Sequence, residues 1–236
     1  MKRKYLYIII PIYLVIQLIL AFLSQSPNES IDYIACYICV VLSFLMCFCF
    51  FEKSNKYLFT QLALLFTVIA DYFLVILDEY YLLAMSVFLL AQVCYSVKVY
   101  FDLETKEEKN IYLIIRGSLV LLSITLPFIV LKENTDLLSI ISVNYYVLLI
   151  TSMVYAFILC KKSKFNLIFA MGLLLFVCCD FFVAISNFKS YFDISKESLI
   201  YKITYHEINF SWIFYVPSQA LLGISLIENK LKEKRS

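Results

Sequence analysis

The stretch GLLLFVCCDFFVAI, residues 172–185, holds one charged residue, Asp180, inside an otherwise apolar run. An ionised carboxylate is costly in the hydrocarbon of a bilayer, so an aspartate in this position is normally retained for a function. The stretch therefore raises two questions. The first is whether the chain as a whole crosses a membrane, and the second is what the carboxyl group does there.

The composition of the chain is that of a multi-pass membrane protein. Of its 236 residues 63% are hydrophobic, and its mean hydropathy is +0.86. Apolar runs of about 20 residues, the length that a transmembrane helix needs, recur with charged or turn-forming residues between them. We predict an all-α bundle that forms a single membrane domain over residues 1–236. Its eight predicted helices are 5–23, 31–51, 57–77, 81–100, 111–131, 139–160, 165–186 and 209–228.

The distribution of Lys and Arg predicts how the bundle is oriented, because cytoplasmic loops carry an excess of these residues. With the N-terminus inside, fifteen of the twenty fall on the cytoplasmic side and four on the other, and Arg116 lies within the fifth helix. Both termini are therefore predicted to be cytoplasmic. The basic residues cluster at helix ends, so they give no reason to expect a nucleic acid partner. The usage of Lys, Ile, Asn and Tyr favours a bacterial plasma membrane.

A second aspartate, Asp71, lies in a similar stretch, ALLFTVIADYFLVI at 63–76. Aligned on the aspartates, the two stretches share a small residue, two leucines, a valine and two aromatic residues, which suggests a weak parallel repeat of four helices plus four. Each aspartate also lies six residues before the outer end of its predicted helix. At ~1.5 Å per residue this is about 9 Å below the boundary. The two carboxyls are therefore predicted at one level, in the outer half of the bilayer.

Uncharged polar side chains of other predicted helices converge on similar depths. Such side chains normally face the interior of a membrane bundle. We therefore predict a polar pocket that opens toward the outer leaflet. Its predicted substrate-binding residues are Gln92, Tyr95, Asn144, Tyr146, Tyr215 and Gln219. Each of these residues alone more often forms a hydrogen bond between helices than a binding site. The two aspartates lie at one level and no intramembrane Lys, Arg or His is predicted to pair with them, so a functional role is favoured for this pair.

Two carboxyl groups in apolar surroundings have a defined chemical use. Apolar surroundings penalise the ionised form, and two neighbouring carboxyls resist double ionisation. One aspartate can then stay protonated as a general acid while the other stays ionised, as in the cleavage of acetal-like bonds. A lipid with an acid-labile ether near its headgroup fits the predicted depth. A proton or cation relay in a transporter would use the same carboxyls without breaking a bond.

Several other chemistries are excluded by residue types that the chain lacks. It has no GxSxG motif and a single histidine, so neither a serine triad nor a zinc site built from several histidines is expected. The segment CYIC at 36–39 has the spacing of a metal-binding pair, but no second pair follows in a loop. All eight cysteines fall within predicted helices or at their ends, as small apolar residues do. We expect neither a metal nor another cofactor.

Five segments of the chain, taken in order, match the helices of one known family. They are ALLFTVIADYFL (63–74), FLLAQVCY (88–95), YVLLITSMVYA (146–156), GLLLFVCCDFFVAISNF (172–188) and YVPSQALLGIS (215–225). They resemble the third, fourth, sixth, seventh and eighth helices of the YhhN-like family, the lysoplasmalogenases. The resemblance implies eight helices, Asp71 and Asp180 as catalytic residues, and a lysolipid substrate. The implied reaction is hydrolysis of the vinyl ether of a lysoplasmalogen to a fatty aldehyde and a glycerophospho-ethanolamine or -choline.

The chain departs from the family pattern at four points. Ala70 stands where the family usually has Gly, Cys179 where it commonly has Ser, and Gln92 where it commonly has His. A Lys-Pro pair expected near the second helix is not found around 30–51. Because Gln cannot transfer protons as His does, a proton- or cation-coupled transporter and a non-catalytic lipid-binding relative remain alternatives. The chain has only three glycines, which offers few of the helix breaks that transporters use, and this favours the enzyme.

Overall fold

The computed structural model describes residues 3–49, 55–160, 164–188 and 209–227, and this part of the chain consists of helices joined by short connections, without a strand. The eight α-helices of these residues are α1 (Arg3–Leu23), α2 (Glu29–Phe48), α3 (Asn55–Asp71), α4 (Tyr81–Asp102), α5 (Lys106–Val130), α6 (Leu137–Leu159), α7 (Lys164–Phe188) and α8 (Phe210–Ile224). Short 3₁₀ turns follow α5 and α8. The predicted all-α helix bundle is confirmed.

Polar caps start several helices in the loops, outside the apolar runs. The side chain of Thr105 accepts a hydrogen bond from the backbone N–H of Glu108, and the Glu108 carboxylate accepts one from the N–H of Thr105. This reciprocal capping box starts α5 at Lys106 rather than at the predicted residue 111. Asp136 and Ser139 form the equivalent box before α6. Helix length therefore exceeds the length of the apolar segment at these ends.

The outer surface of the bundle is apolar. Phe22 is 82% exposed and Leu18 is 73% exposed, and every long helix carries further exposed Leu, Ile or Phe side chains. A continuous surface of this kind requires hydrocarbon around it rather than water. The helices α2 to α7 are long and apolar enough to cross a membrane, whereas the apolar segments Tyr7–Leu23 and Phe210–Ile224 are shorter. The chain is a multi-pass integral membrane protein; its orientation and the identity of the membrane stay predictions.

The centre of the bundle is formed by α3, α4, α6, α7 and α8. The most extensively packed pairs are α3 with α4 and α7 with α8. These are the two pairs that the proposed repeat would relate, and the repeat itself stays a prediction. The helix α5 is peripheral and packs chiefly on α6. It buries only Tyr112, Arg116, Ser123 and Pro127.

A glycine brings α8 into close contact with α1 and α2. A Cβ atom on Gly223 would lie 2.9 Å from the carbonyl oxygen of Ser43 and 2.9 Å from the hydroxyl of Tyr13. The same Tyr13 hydroxyl shares a hydrogen bond of 2.9 Å with Ser43 Oγ and donates one of 3.3 Å to the carbonyl of Ala220. Small residues allow such approaches between helices in membranes. The contact fixes the position of α8, which carries Tyr215 two turns away.

The helix α3 changes its winding immediately after Asp71. That residue ends the α-helix, and Tyr72–Leu77 forms a π-helix that ends at Asp78 in the left-handed conformation, with φ of 50°. The predicted helix 57–77 is therefore α-helical only to residue 71. Segments of π-helix are rare and frequently lie at functional sites. The wider turn begins at the carboxyl that the sequence analysis singled out.

Candidate active site

Asp71 is enclosed by the protein. Only 3% of its surface is exposed. The hydroxyl of Tyr215, on α8, donates a hydrogen bond to its Oδ2. The ring of Tyr215 is held in turn between Trp212 and Phe176, with ring centroids 5.6 Å and 5.7 Å away. The carboxyl at the end of α3 is thus positioned by a buried hydroxyl on α8.

Asp180 has the same kind of partner from a different helix. The hydroxyl of Tyr145, on α6, donates a hydrogen bond of 2.5 Å to Asp180 Oδ2. Tyr145 is buried, and its ring packs edge-on against Phe88 at 5.7 Å and Phe176 at 6.5 Å. Asp180 itself is half-buried. The second aspartate therefore has the same kind of hydrogen-bond partner as the first, but the residue as a whole is less buried.

One aromatic ring connects the two carboxyl–hydroxyl pairs. Phe176 lies one turn before Asp180 on α7 and contacts the rings of both Tyr145 and Tyr215. Asp71 and Asp180 are close enough to interact electrostatically. In the described part of the chain neither carboxyl forms an ion pair with Lys or Arg. The structure thus brings the two aspartates together, each with one tyrosine, around Phe176.

Two buried amides lie one turn deeper than this layer. Gln92 follows Phe88 by one turn on α4, and Gln219 follows Tyr215 by one turn on α8. Both side chains are 0% exposed, and neither amide atom of either residue has a hydrogen-bond partner among the described residues. A buried polar group without a partner costs about 1–3 kcal/mol. These amides are therefore polar groups that the bundle holds in its interior at a cost in stability.

The other predicted binding residues are placed differently. Asn144 accepts a hydrogen bond of 2.7 Å from Ser123 Oγ and donates one to the carbonyl of Ile140, so it joins α6 to α5 and is not brought to the aspartates. Tyr146 is half-buried and within electrostatic range of Asp180. Tyr95 is buried deeper in the bundle, with its ring 5.7 Å from that of Phe169.

Tyr145 contacts Asp180 directly, whereas the residues predicted from the sequence are its neighbours Asn144 and Tyr146. A signal for it exists in the pattern of α6, where Tyr145, Leu149, Ser152, Ala156 and Leu159 recur at helical spacing and are all buried. Two small residues on that stripe mark the face that packs inward. Reading the stripe would have selected Tyr145 in place of Asn144.

Asp32 is a third buried carboxyl, in the first turn of α2. Its Oδ2 accepts a hydrogen bond of 3.2 Å from Trp212 Nε1, and Trp212 packs on Tyr215. Its position in the sequence does not distinguish it, because an acidic residue in the first turn of a helix is common on its own account. Asp32 therefore supports the position of Tyr215 through Trp212.

The arrangement is suited to proton transfer. Carboxyl groups that each accept a hydrogen bond from a fixed hydroxyl, close to one another and shielded from bulk water, are the groups that general acid and base catalysis uses. Among the described residues no group of three or more His, Cys, Asp or Glu could hold a metal ion.

Comparison with known proteins gives the family. The model of the YhhN family matches residues 33–226, a segment that contains both aspartates and both tyrosines that bind them. No curated protein and no solved structure matches the chain. By the extent of the family match, the chain belongs to the YhhN family.

Proposed function

We propose that this protein is a membrane-embedded hydrolase that cleaves the vinyl ether bond of a lysoplasmalogen with the carboxyl groups of Asp71 and Asp180. The observation that carries the proposal is the pair of neighbouring intramembrane carboxyls, each bound by a buried tyrosine hydroxyl. Family membership supports it, because the sequence resembles the lysoplasmalogenases of that family.

The reaction needs an acid and a group that stabilises a cation. A protonated aspartate transfers its proton to the alkenyl carbon that is not bound to oxygen, which turns the vinyl ether into an oxocarbenium ion. An ionised aspartate stabilises that ion and orients the water that adds to it. The resulting hemiacetal breaks its bond to the glycerol oxygen. The products are a fatty aldehyde and a free glycerol hydroxyl, and one water is consumed without a cofactor.

The substrate class follows from the surroundings of the carboxyls. A single-chain lipid places its polar headgroup at the interface and its ether bond just below, which is the predicted depth of Asp71 and Asp180. Tyr215 and Tyr146 lie beside the carboxyls, and Tyr95, Gln92 and Gln219 lie deeper, where we propose that they contact the substrate. We leave Asn144 out of the proposed set because its side chain accepts a hydrogen bond from Ser123 on α5.

A proton- or cation-coupled transporter is the second candidate. The observation that favours it is the pair of buried amides, Gln92 and Gln219, which have no hydrogen-bond partner among the described residues. Such polar groups in the interior would extend a relay beyond the two carboxyls. The two functions separate in the assay, since a hydrolase releases aldehyde in detergent and a transporter needs a sealed vesicle and a gradient.

The test is aldehyde release from a lysoplasmalogen by the purified protein, beside Asp71→Asn and Asp180→Asn. We expect each substitution to lower the rate by about 10²-fold or more, the size of a general acid or base contribution. Asp136→Asn is the matched control, because asparagine also caps a helix, and it should keep full activity. The alkyl ether analogue, which has no double bond to protonate, should not be cleaved.

The same assays also define the results that would overturn the proposed hydrolase activity. A folded wild-type protein that releases no aldehyde from any headgroup form, at any pH tested, would overturn the hydrolase. Ion flux in sealed vesicles that depends on the two carboxyls would then establish the transporter, and saturable lysolipid binding without flux would establish a lipid-binding protein.

A further inference from the structure

We propose a division of labour between the two carboxyls and a positioning role for Tyr145. Asp71 carries the proton that is transferred to the alkenyl carbon, Asp180 is the ionised carboxylate that faces the cation and the water, and Tyr145 holds Asp180 in place. This assignment rests on the proposed hydrolase function.

The first argument is the difference in enclosure. Asp71 is 3% exposed, and its surroundings include the buried residues Ala70, Cys36 and Cys179. Asp180 is only half-buried. The penalty for an ionised carboxylate rises as it loses contact with water. Since two neighbouring carboxyls resist double ionisation, the shared proton remains on the more enclosed group, Asp71.

The second argument is access. The group that orients water and faces the cation has to be reachable by both, and of the two residues Asp180 has the larger exposed fraction. Tyr146 and Cys178, both half-buried, lie on the same side. We therefore expect a substrate to reach the site from this side and to meet Asp180 first.

The third argument is the hydrogen-bond inventory of each carboxyl. Tyr215 donates to Oδ2 of Asp71, so the transferable proton of a neutral Asp71 belongs on Oδ1. Tyr145 donates to Oδ2 of Asp180, which leaves Oδ1 to face the cation and the water. Each tyrosine thus fixes one oxygen of its carboxyl. The other oxygen can transfer the proton in Asp71 or face the cation and the water in Asp180.

Tyr145 acts through Asp180 rather than on the substrate. It is buried, and its ring is fixed by Phe88 and Phe176. Its hydroxyl is committed to the carboxylate, and a hydrogen bond to a charged group contributes about 1.5–3 kcal/mol. Loss of the hydroxyl should therefore impair the function of Asp180 and nothing else.

The protons balance over one turnover. The O–H bond of Asp71 breaks as the C–H bond of the substrate forms, and both aspartates are then ionised beside the cation. Water adds to the cation and gives its proton to Asp180. As the hemiacetal breaks, Asp180 returns that proton to the leaving glycerol oxygen, and the hemiacetal hydroxyl gives its proton to Asp71. Both carboxyls regain their starting forms.

Infrared difference spectra test the protonation states without any turnover. The carbonyl band of a protonated carboxyl, recorded in neutral buffer, should disappear in Asp71→Asn and persist in Asp180→Asn and in the control Asp136→Asn. A band that persists in Asp71→Asn and disappears in Asp180→Asn would reverse the assignment.

Kinetics test the roles. Formate is ionised at neutral pH, so it can replace a missing carboxylate but not a missing acid. Added formate should restore activity to Asp180→Ala and not to Asp71→Ala; the reverse result would overturn the assignment.

A double-mutant comparison tests the positioning role of Tyr145. Tyr145→Phe should lower kcat by roughly 10- to 100-fold, the equivalent of one charge-assisted hydrogen bond, with KM unchanged. In the Asp180→Ala background it should cause no further loss. Tyr155→Phe, half-buried on the same helix, is the control and should leave kcat unchanged. An equal loss from Tyr145→Phe in both backgrounds would mean that Tyr145 does not act through Asp180.

The two levels of proposal fail separately. A folded wild type that releases no aldehyde overturns the hydrolase and this division of labour together. Aldehyde release combined with an infrared band that belongs to Asp180 overturns the division of labour alone.

Discussion

Gly223→Ala should loosen the contact that fixes α8. The added Cβ would lie 2.9 Å from the Ser43 carbonyl oxygen and 3.1 Å from its Cα, so backbone would have to move. Overpacking of this kind costs about 2 kcal/mol, and weakening the hydrogen bonds of Tyr13 adds about 1 kcal/mol. Replacing a helical glycine by alanine returns about 1 kcal/mol. The expected net loss is therefore about 2 kcal/mol.

The chain supplies two matched comparisons for this variant. A Cβ on Gly117 would meet nothing within 4 Å, so Gly117→Ala should gain about 1 kcal/mol from helix propensity alone. A Cβ on Gly172 would lie 2.9 Å from the Cγ atom of Leu222, a side chain that can partly adjust, so its loss should be smaller than that of Gly223→Ala. The three variants should therefore unfold in the order of Gly223→Ala first, Gly172→Ala second and Gly117→Ala last.

The assay is thermal unfolding in detergent. At about 2–4 °C per kcal/mol for a chain of this size, Gly223→Ala should unfold roughly 4–8 °C below the wild type and Gly117→Ala roughly 2–4 °C above it. An unfolding temperature of Gly223→Ala at or above that of the wild type would show that α2 and α8 are not in backbone contact at Ser43.

Three further predictions concern charges away from the site. Lys98→Met removes the ammonium that lies 2.7 Å from the buried carboxylate of Asp102, so it should lower the free energy of unfolding by about 3 kcal/mol. Adding Asp102→Leu should restore most of that loss. Equal stability of the single and double variants would contradict this prediction. Arg116→Lys loses the planar guanidinium that donates hydrogen bonds to three acceptors, one on α5 and two on α6. This substitution should lower the free energy of unfolding by about 1–3 kcal/mol. An unchanged unfolding temperature would show that the guanidinium is dispensable. For orientation, Glu133→Cys should react with a membrane-impermeant maleimide in intact cells and Glu107→Cys only after permeabilisation, and the opposite pattern would invert the bundle.

The helices were predictable because lipid leaves a chain few options. Every backbone N–H and C=O has to be satisfied within the segment, so a long apolar run is a helix. The start of α5 was missed by five residues because its cap, Thr105 with Glu108, lies outside the apolar run, although the sequence shows it. The π-helix after Asp71 could not be foreseen, since its winding depends on how α3 packs rather than on local residue preference.

The site was partly predictable for a related reason. Helix rise is constant, so counting residues from the ends is enough to place Asp71 and Asp180 at one level. Rotation about each helix axis is set by packing, and for this reason the count could not choose between Asn144, Tyr145 and Tyr146. The structure turns Tyr145 toward Asp180 and Asn144 toward Ser123.

The π-helix at Tyr72–Leu77 places a wide turn directly after Asp71. A π-turn holds one residue more than an α-turn, and the extra residue can be passed along a helix without breaking it. If the wide turn began one position nearer the N-terminus, the residue that it passed would rotate about the helix axis by about 100°, the angle of one residue in an α-helix. Asp71 is the residue at that boundary. The three glycines of the chain lie in other helices, so a shift of the wide turn, and not bending at a glycine, would be the movement that turns this carboxyl away from its tyrosine.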